Sequence, residues 1–164
     1  MSNRDKNWDD YIYPRIDDLI KKDFYLEAFY LCSATIEHTL QSAIQIQEKW
    51  IKNVINHSGL KFRNTDFEKL SNFTLGRLIS YFSRYCDNVQ LISELNKFNS
   101  LRIKFVHKLL DFSLKELNEE AKINFEIYWK LVAKLSRYMI WINCKQIRSI
   151  KRKMRRGKGA RYCF

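Results

Sequence analysis

Four glycines and one proline in 164 residues leave this chain almost without the residues that turn a backbone sharply. Tight hairpin turns call for positive-φ positions, filled chiefly by glycine, so a fold of many short strands is excluded. Phosphate-cradling loops need several glycines close together, and Gly59, Gly76, Gly157 and Gly159 supply no such cluster. What such a chain can build is helices, long enough to need few turns.

The periodicity agrees. Outside its basic end the chain repeats apolar residues at helical spacing, and with 46% hydrophobic and 29% charged residues it has material for one core. We expect an all-α, up-and-down bundle of about five helices. The first covers residues 8–22. The second runs from Tyr25 to about Asn56, with Leu26, Phe29, Ile36, Leu40, Ala43, Trp50 and Val54 in one stripe. Residues 57–71 form the long connection, with a turn of helix near 66–70. Thr74 caps a third helix ending at Tyr85, Asp87 caps a fourth ending at Leu110, and Ser113 with Glu116 makes a capping box for a fifth. That fifth helix carries Leu117, Ala121, Tyr128, Leu131, Leu135, Tyr138 and Ile142 on one side and runs on into the basic end, stopping at Gly157.

The net charge of +12 is concentrated. Residues 145–161 hold nine basic residues and no acid, so the expected organisation is a bundle domain, 1–150, followed by a basic tail, 151–164. Lys151, Arg152, Lys153, Arg155, Arg156, Lys158 and Arg161 are the candidate nucleic-acid-binding residues, because a run of positive charge without acids attracts phosphate backbones regardless of sequence. The cysteines (Cys32, Cys86, Cys144, Cys163) and histidines (His38, His57, His107) are dispersed, which points to neither a disulfide framework nor a metal site. No metal, no cofactor and no membrane span are expected, and a cytoplasmic location follows from the cysteine usage and from the absence of a secretory leader.

The fourth helix breaks its own pattern. Its apolar positions step through Leu91, Leu95 and Phe98 to Phe105, Leu109 and Phe112, and between them stands Arg102. Arginine is rarely buried unless paired, so this one either lays its methylenes on the seam or is held to meet an anion. His107 lies five residues on, ~140° around and ~7.5 Å along a straight helix, so the two do not share a face. Asp111, at i+4, would orient the histidine.

These residues fall in a segment, Asn99-Ser100-Leu101-Arg102-Ile103-Lys104-Phe105-Val106-His107, that resembles the signature of the HEPN superfamily, whose ribonucleases carry an arginine and a histidine four to six residues apart. The segments Tyr25-Leu26-Glu27-Ala28-Phe29, Ala34-Thr35-Ile36-Glu37-His38-Thr39-Leu40 and Thr74-Leu75-Gly76-Arg77-Leu78-Ile79 resemble HEPN-like sequences in the same order, so the likeness spans residues 20–140. It implies a metal-independent endoribonuclease of a prokaryotic defence or toxin–antitoxin system, with a cognate antitoxin or inhibitor protein as a further partner. Two protomers would join their arginines and histidines across a two-fold cleft. His107 would act as general base or acid and Arg102 would hold the phosphate, with Glu37 matching a frequent HEPN acid. In HEPN toxins inactivated by a nucleotidyltransferase, a tyrosine follows the histidine; Asp111 and Phe112 stand there in this chain, so that mode of control is not implied.

Ile103 stands where many HEPN ribonucleases carry a polar residue, commonly asparagine. It favours the alternative reading, a catalytically silent module that binds RNA or a protein partner. Trp129 and Trp141, ~120° apart on the fifth helix, are expected to pack in the core.

Overall fold

The computed structural model describes residues 3–55 and 70–159, over which the backbone forms five helices. They are α1 (Asn3–Lys21), α2 (Tyr25–Ile55), α3 (Leu75–Phe82), α4 (Val89–Lys108) and α5 (Leu114–Gly159). No strand occurs among the described residues. The protein is an all-α helical bundle, as the shortage of turn residues requires.

Side-chain contacts fix how the long helices run. The start of α2 meets α5 at Asn118, and further along Gln47 meets Gln146, so α2 and α5 run parallel. Glu94 pairs with Lys134 and Lys104 with Glu120, so α4 runs antiparallel to α5. The core lies between these helices. Phe29 of α2 is fully buried, its ring centroid 5.1 Å from Phe98 and 4.9 Å from Phe105 of α4, and 5.3 Å from Tyr128 of α5. Of the expected stripes, Leu26, Phe29, Ile36, Leu40 and Ala43 on α2 and Leu117, Ala121, Tyr128, Leu131, Leu135 and Ile142 on α5 are buried, Trp50 and Tyr138 are half-buried, and the Val54 side chain lies outside what is described.

Capping explains most of the helix starts. Thr74 accepts from the Arg77 amide, and Ser113 and Glu116 satisfy each other reciprocally. The Ser113 hydroxyl and amide hold the Glu116 carboxyl below its ordinary range. α4 is capped by Asn88, not Asp87, through a 3.0 Å bond from the Leu91 amide. Asp87 instead accepts from the Tyr138 hydroxyl. α2 has no cap of its own: Asn118 of α5 accepts from the Leu26 amide at 3.0 Å and donates to the Asp23 carbonyl at 2.7 Å. Asp23 makes the turn between α1 and α2 with φ of 64°.

Some boundaries differ from expectation. α1 begins at Asn3 rather than Trp8, and α3 ends at Phe82, with Ser83 to Tyr85 in turns. α4 ends at Lys108, so Leu109 and Phe112 fall outside the helix and are 41% and 46% exposed rather than in the seam. The helical backbone of α5 passes through residue 150 without interruption and reaches Gly159, two residues beyond Gly157. The connection expected over 57–71 lies outside the described residues except for Leu70, which is helical and buried, and Ser71. Among the described residues no helix is long and apolar enough to cross a membrane.

Candidate functional site

Arg102 follows Phe98 by four residues, so the helical repeat turns it toward the side of α4 that packs inward. Its Nη2 lies 3.1 Å from Oε1 of Glu37, with the two side chains 31% and 28% exposed. Glu37 reaches it because it adjoins Ile36, which is fully buried in the α2 stripe. The pair is therefore semi-buried, sheltered enough to matter and open enough for a ligand to reach the guanidinium.

Two residues that the sequence did not single out lie on the Glu37 side of α2. Tyr30 and Ser33 precede Glu37 by seven and four residues, on the same side of α2. Tyr30 Oη, Ser33 Oγ and Arg102 Nε are all buried without a hydrogen-bond partner among the described residues. Burial raises the Tyr30 hydroxyl pKa, and the Arg102 charge works against that rise, which places the phenol within electrostatic reach of the guanidinium. Such groups hold donor capacity for an acceptor that no protein group supplies. The one available clue was their spacing from Glu37.

Gly76 of α3 sits against the beginning of the same segment. A Cβ there would stand 3.1 Å from Asn99 Nδ2, so the Asn99 side chain would have to give by a few tenths of an ångström.

His107 lies in the last turn of α4 and is exposed. No hydrogen bond or ion pair joins it to Asp111 among the described residues, because α4 ends at Lys108 and Asp111 falls in the following turn. The chain does not bring His107 to Arg102 either: one faces solvent and the other is half-buried at the α2–α4 contact. Around His107 the surface is apolar. Ile103 is 46% exposed, Val106 47% and Leu110 89%. Ile103 therefore belongs to an outward apolar stripe.

Lysines tie this end of α4 to α5. Lys104 and Lys108 both reach Glu120, at 3.1 and 2.6 Å. Their hydrogen bonds, that of Lys108 foremost, hold the Glu120 carboxyl below its ordinary range. Ile123 and Ile127, three and seven residues after Glu120, are 80% and 64% exposed and continue the apolar surface onto α5.

Residues 151–159, which carry Lys151, Arg152, Lys153, Arg155, Arg156 and Lys158, are helical backbone of α5, and Arg161 lies outside the described residues. No group of three or more His, Cys, Asp or Glu side chains among the described residues could hold a metal ion. Comparison with known proteins finds no matching family model, no matching curated protein and no matching solved structure.

Proposed function

We propose that the protein is a homodimeric, metal-independent endoribonuclease of the HEPN kind, in which a second copy of the chain supplies the histidine that each arginine lacks. The observation that carries this reading is the apolar stripe around His107, made by Ile103 and Val106 on the helix that also holds the Arg102–Glu37 pair and by Leu110 in the turn that follows it, all three exposed. A stripe of that kind is suited to a two-fold contact, which would set His107 of one protomer against the partner's half of the site.

The chemistry needs only these side chains. Neutral His107 takes the proton from a ribose 2′-hydroxyl, and the 2′-oxygen attacks the adjacent phosphorus. The 5′-oxygen leaves with a proton from an imidazolium, giving a 2′,3′-cyclic phosphate and a 5′-hydroxyl end. Arg102 stabilises the charge that gathers on the phosphoryl oxygens. The basic end of α5 supplies affinity for the RNA backbone.

The test is cleavage of single-stranded RNA by the full chain. His107→Ala should reduce the rate by ~10²-fold or more, replacement of the 2′-hydroxyl by hydrogen should abolish it, and a chelator should leave it unchanged. Leu110→Asp, at a position 89% exposed, should give a folded monomer without activity. Full activity in either variant would overturn the proposal. A second reading rests on the ion pair itself. Glu37 already neutralises Arg102, which suits a silent module, and RNA binding by a dimer that cleaves nothing would establish it.

A further inference from the structure

At the end of the bundle away from His107, α2, the α3–α4 connection and α5 enclose a cavity of about 350 Å³, in the range of small-ligand sites. Aromatic rings make its walls: Trp50 from α2, Tyr85 from the connection, and Tyr138 and Trp141 from α5. Tyr138 and Trp141 lie 5.7 Å apart at an interplanar angle of 31°, and Trp141 is 49% exposed, unlike a tryptophan committed to the core. The Tyr138 ring is held in place by the 3.2 Å bond from its hydroxyl to Asp87. Lys145 places its ammonium over the Trp141 ring, 4.7 Å from the centroid.

Polar side chains make the rest of the lining: Gln47, Asp87, Lys145, Gln146 and Ser149. Gln146 donates to Gln47 Oε1 at 3.1 Å, which leaves the Gln47 amide hydrogens and the Gln146 carbonyl oxygen as a neighbouring donor and acceptor. One edge of a nucleobase presents that complement. From Lys145 the helix runs on through Arg148, and the sequence beyond it is basic and free of acids.

We infer that this cavity is a stacking pocket for one unpaired base of a single-stranded RNA, whose backbone phosphates follow the basic end of α5. Stacking against Trp141 holds the base, the two glutamines meet its edge, and Lys145 turns from the indole to the phosphate. A base inside a duplex is already stacked and cannot enter, so the pocket selects single strands. The inference rests on the RNA-directed reading above but not on cleavage, dimerisation, Arg102 or His107.

The experiment is fluorescence anisotropy of 2′-O-methyl 12-mers, which cannot be cleaved by 2′-hydroxyl attack, titrated with the full chain at several salt concentrations. Failure of the ribonuclease reading therefore leaves the measurement intact. Trp141→Ala should weaken binding roughly 5- to 150-fold, the usual span for losing one base–aromatic stack, with the salt slope unchanged. Trp141→Phe should recover most of the loss. Lys145→Gln should lower the slope by ~0.7, one phosphate contact of a single strand. With the wild-type chain, an abasic oligomer should lose affinity to the same extent, which keeps the test valid should the alanine variant misfold. Equal binding of intact and abasic oligomers, or wild-type affinity in Trp141→Ala, would each overturn the inference.

Discussion

Replacing Glu37 by glutamine separates the structural use of Arg102 from its chemical use. The carboxylate lies 3.1 Å from the guanidinium, and the two side chains are 28% and 31% exposed. Exposed ion pairs contribute ~0–1 kcal/mol, and breaking a fully buried pair costs ~3–5 kcal/mol. This pair lies between those limits, and glutamine keeps the volume and one acceptor oxygen, so Glu37→Gln should cost about 1–2 kcal/mol. For a chain of this size that corresponds to a fall in Tm of roughly 2–8 °C. The substitution also leaves the guanidinium without its counter-charge, beside the unpartnered Tyr30 hydroxyl. If Arg102 serves phosphate, the variant should bind single-stranded RNA more tightly, and the salt slope should steepen by ~0.7. Thermal denaturation followed by circular dichroism reads the first effect, and anisotropy at several salt concentrations reads the second. Adding Arg102→Ala should erase the RNA effect, and the double variant should be scarcely less stable than Arg102→Ala alone. An unchanged Tm would refute the ion pair as a stabilising contact, and an unchanged slope would refute Arg102 as a phosphate ligand.

Phe29→Ala removes a fully buried ring packed against three aromatic neighbours on α4 and α5. It should cost ~3–5 kcal/mol by chemical denaturation, and a loss well under ~2 kcal/mol would show that the site collapses around the cavity. Glu116 and Glu120 have carboxyl pKa values below the ordinary 4.5, so their stabilising contribution is present above that value and lost as pH falls through the lower folded-state values. Denaturation midpoints should therefore drop on acidification below about pH 4.5, and less steeply in Glu120→Gln, where one of the two carboxylates can no longer titrate. Removing residues 151–164 should preserve cooperative unfolding, since among the described residues the last buried α5 position is Ile142, while weakening RNA binding and flattening its salt dependence. Loss of the fold on truncation would show that the helix beyond residue 150 is needed for stability.

Local chemistry was readable from the chain wherever one residue settles the outcome. Thr74, and Ser113 with Glu116, announce helix starts because a hydroxyl three residues before a free amide has only one good use. Arg102 interrupts an apolar seam, and it is indeed half-buried and paired with Glu37. Periodicity could not tell where α4 would stop. The repeat of Leu109 and Phe112 continues the helix on paper, whereas the chain turns after Lys108 and exposes both, carrying Asp111 away from His107. The sequence points to Asp87 as the cap of α4, but its carboxylate takes the hydroxyl of Tyr138, fifty-one residues away, and Asn88 caps the helix in its place. Trp129 packs edge-on against Tyr13, 5.4 Å between centroids, as a core-side tryptophan should. Trp141, on the same helix, borders a cavity instead, because its surroundings come from the end of α2 and from the α3–α4 connection. Tyr30 carries no such signal in the sequence, because its significance lies in Arg102, a partner on α4.

The cap of α2 has a bearing on how the chain is made. The amide of Leu26 finds its acceptor on Asn118, ninety-two residues further along. A ribosome adding ~5–20 residues per second delivers that acceptor roughly 5–18 s after the amide it serves. During that interval α2 and its preceding turn exist with a free end, and the Asp23 carbonyl and carboxylate wait for Asn118 and Lys122. Helices lacking their tertiary surface are marginal in water, so the nascent chain has no settled bundle until the first turns of α5 emerge. A helix synthesised well after α2 completes the beginning of α2, so the fold waits for a contact ninety-two residues away in the chain.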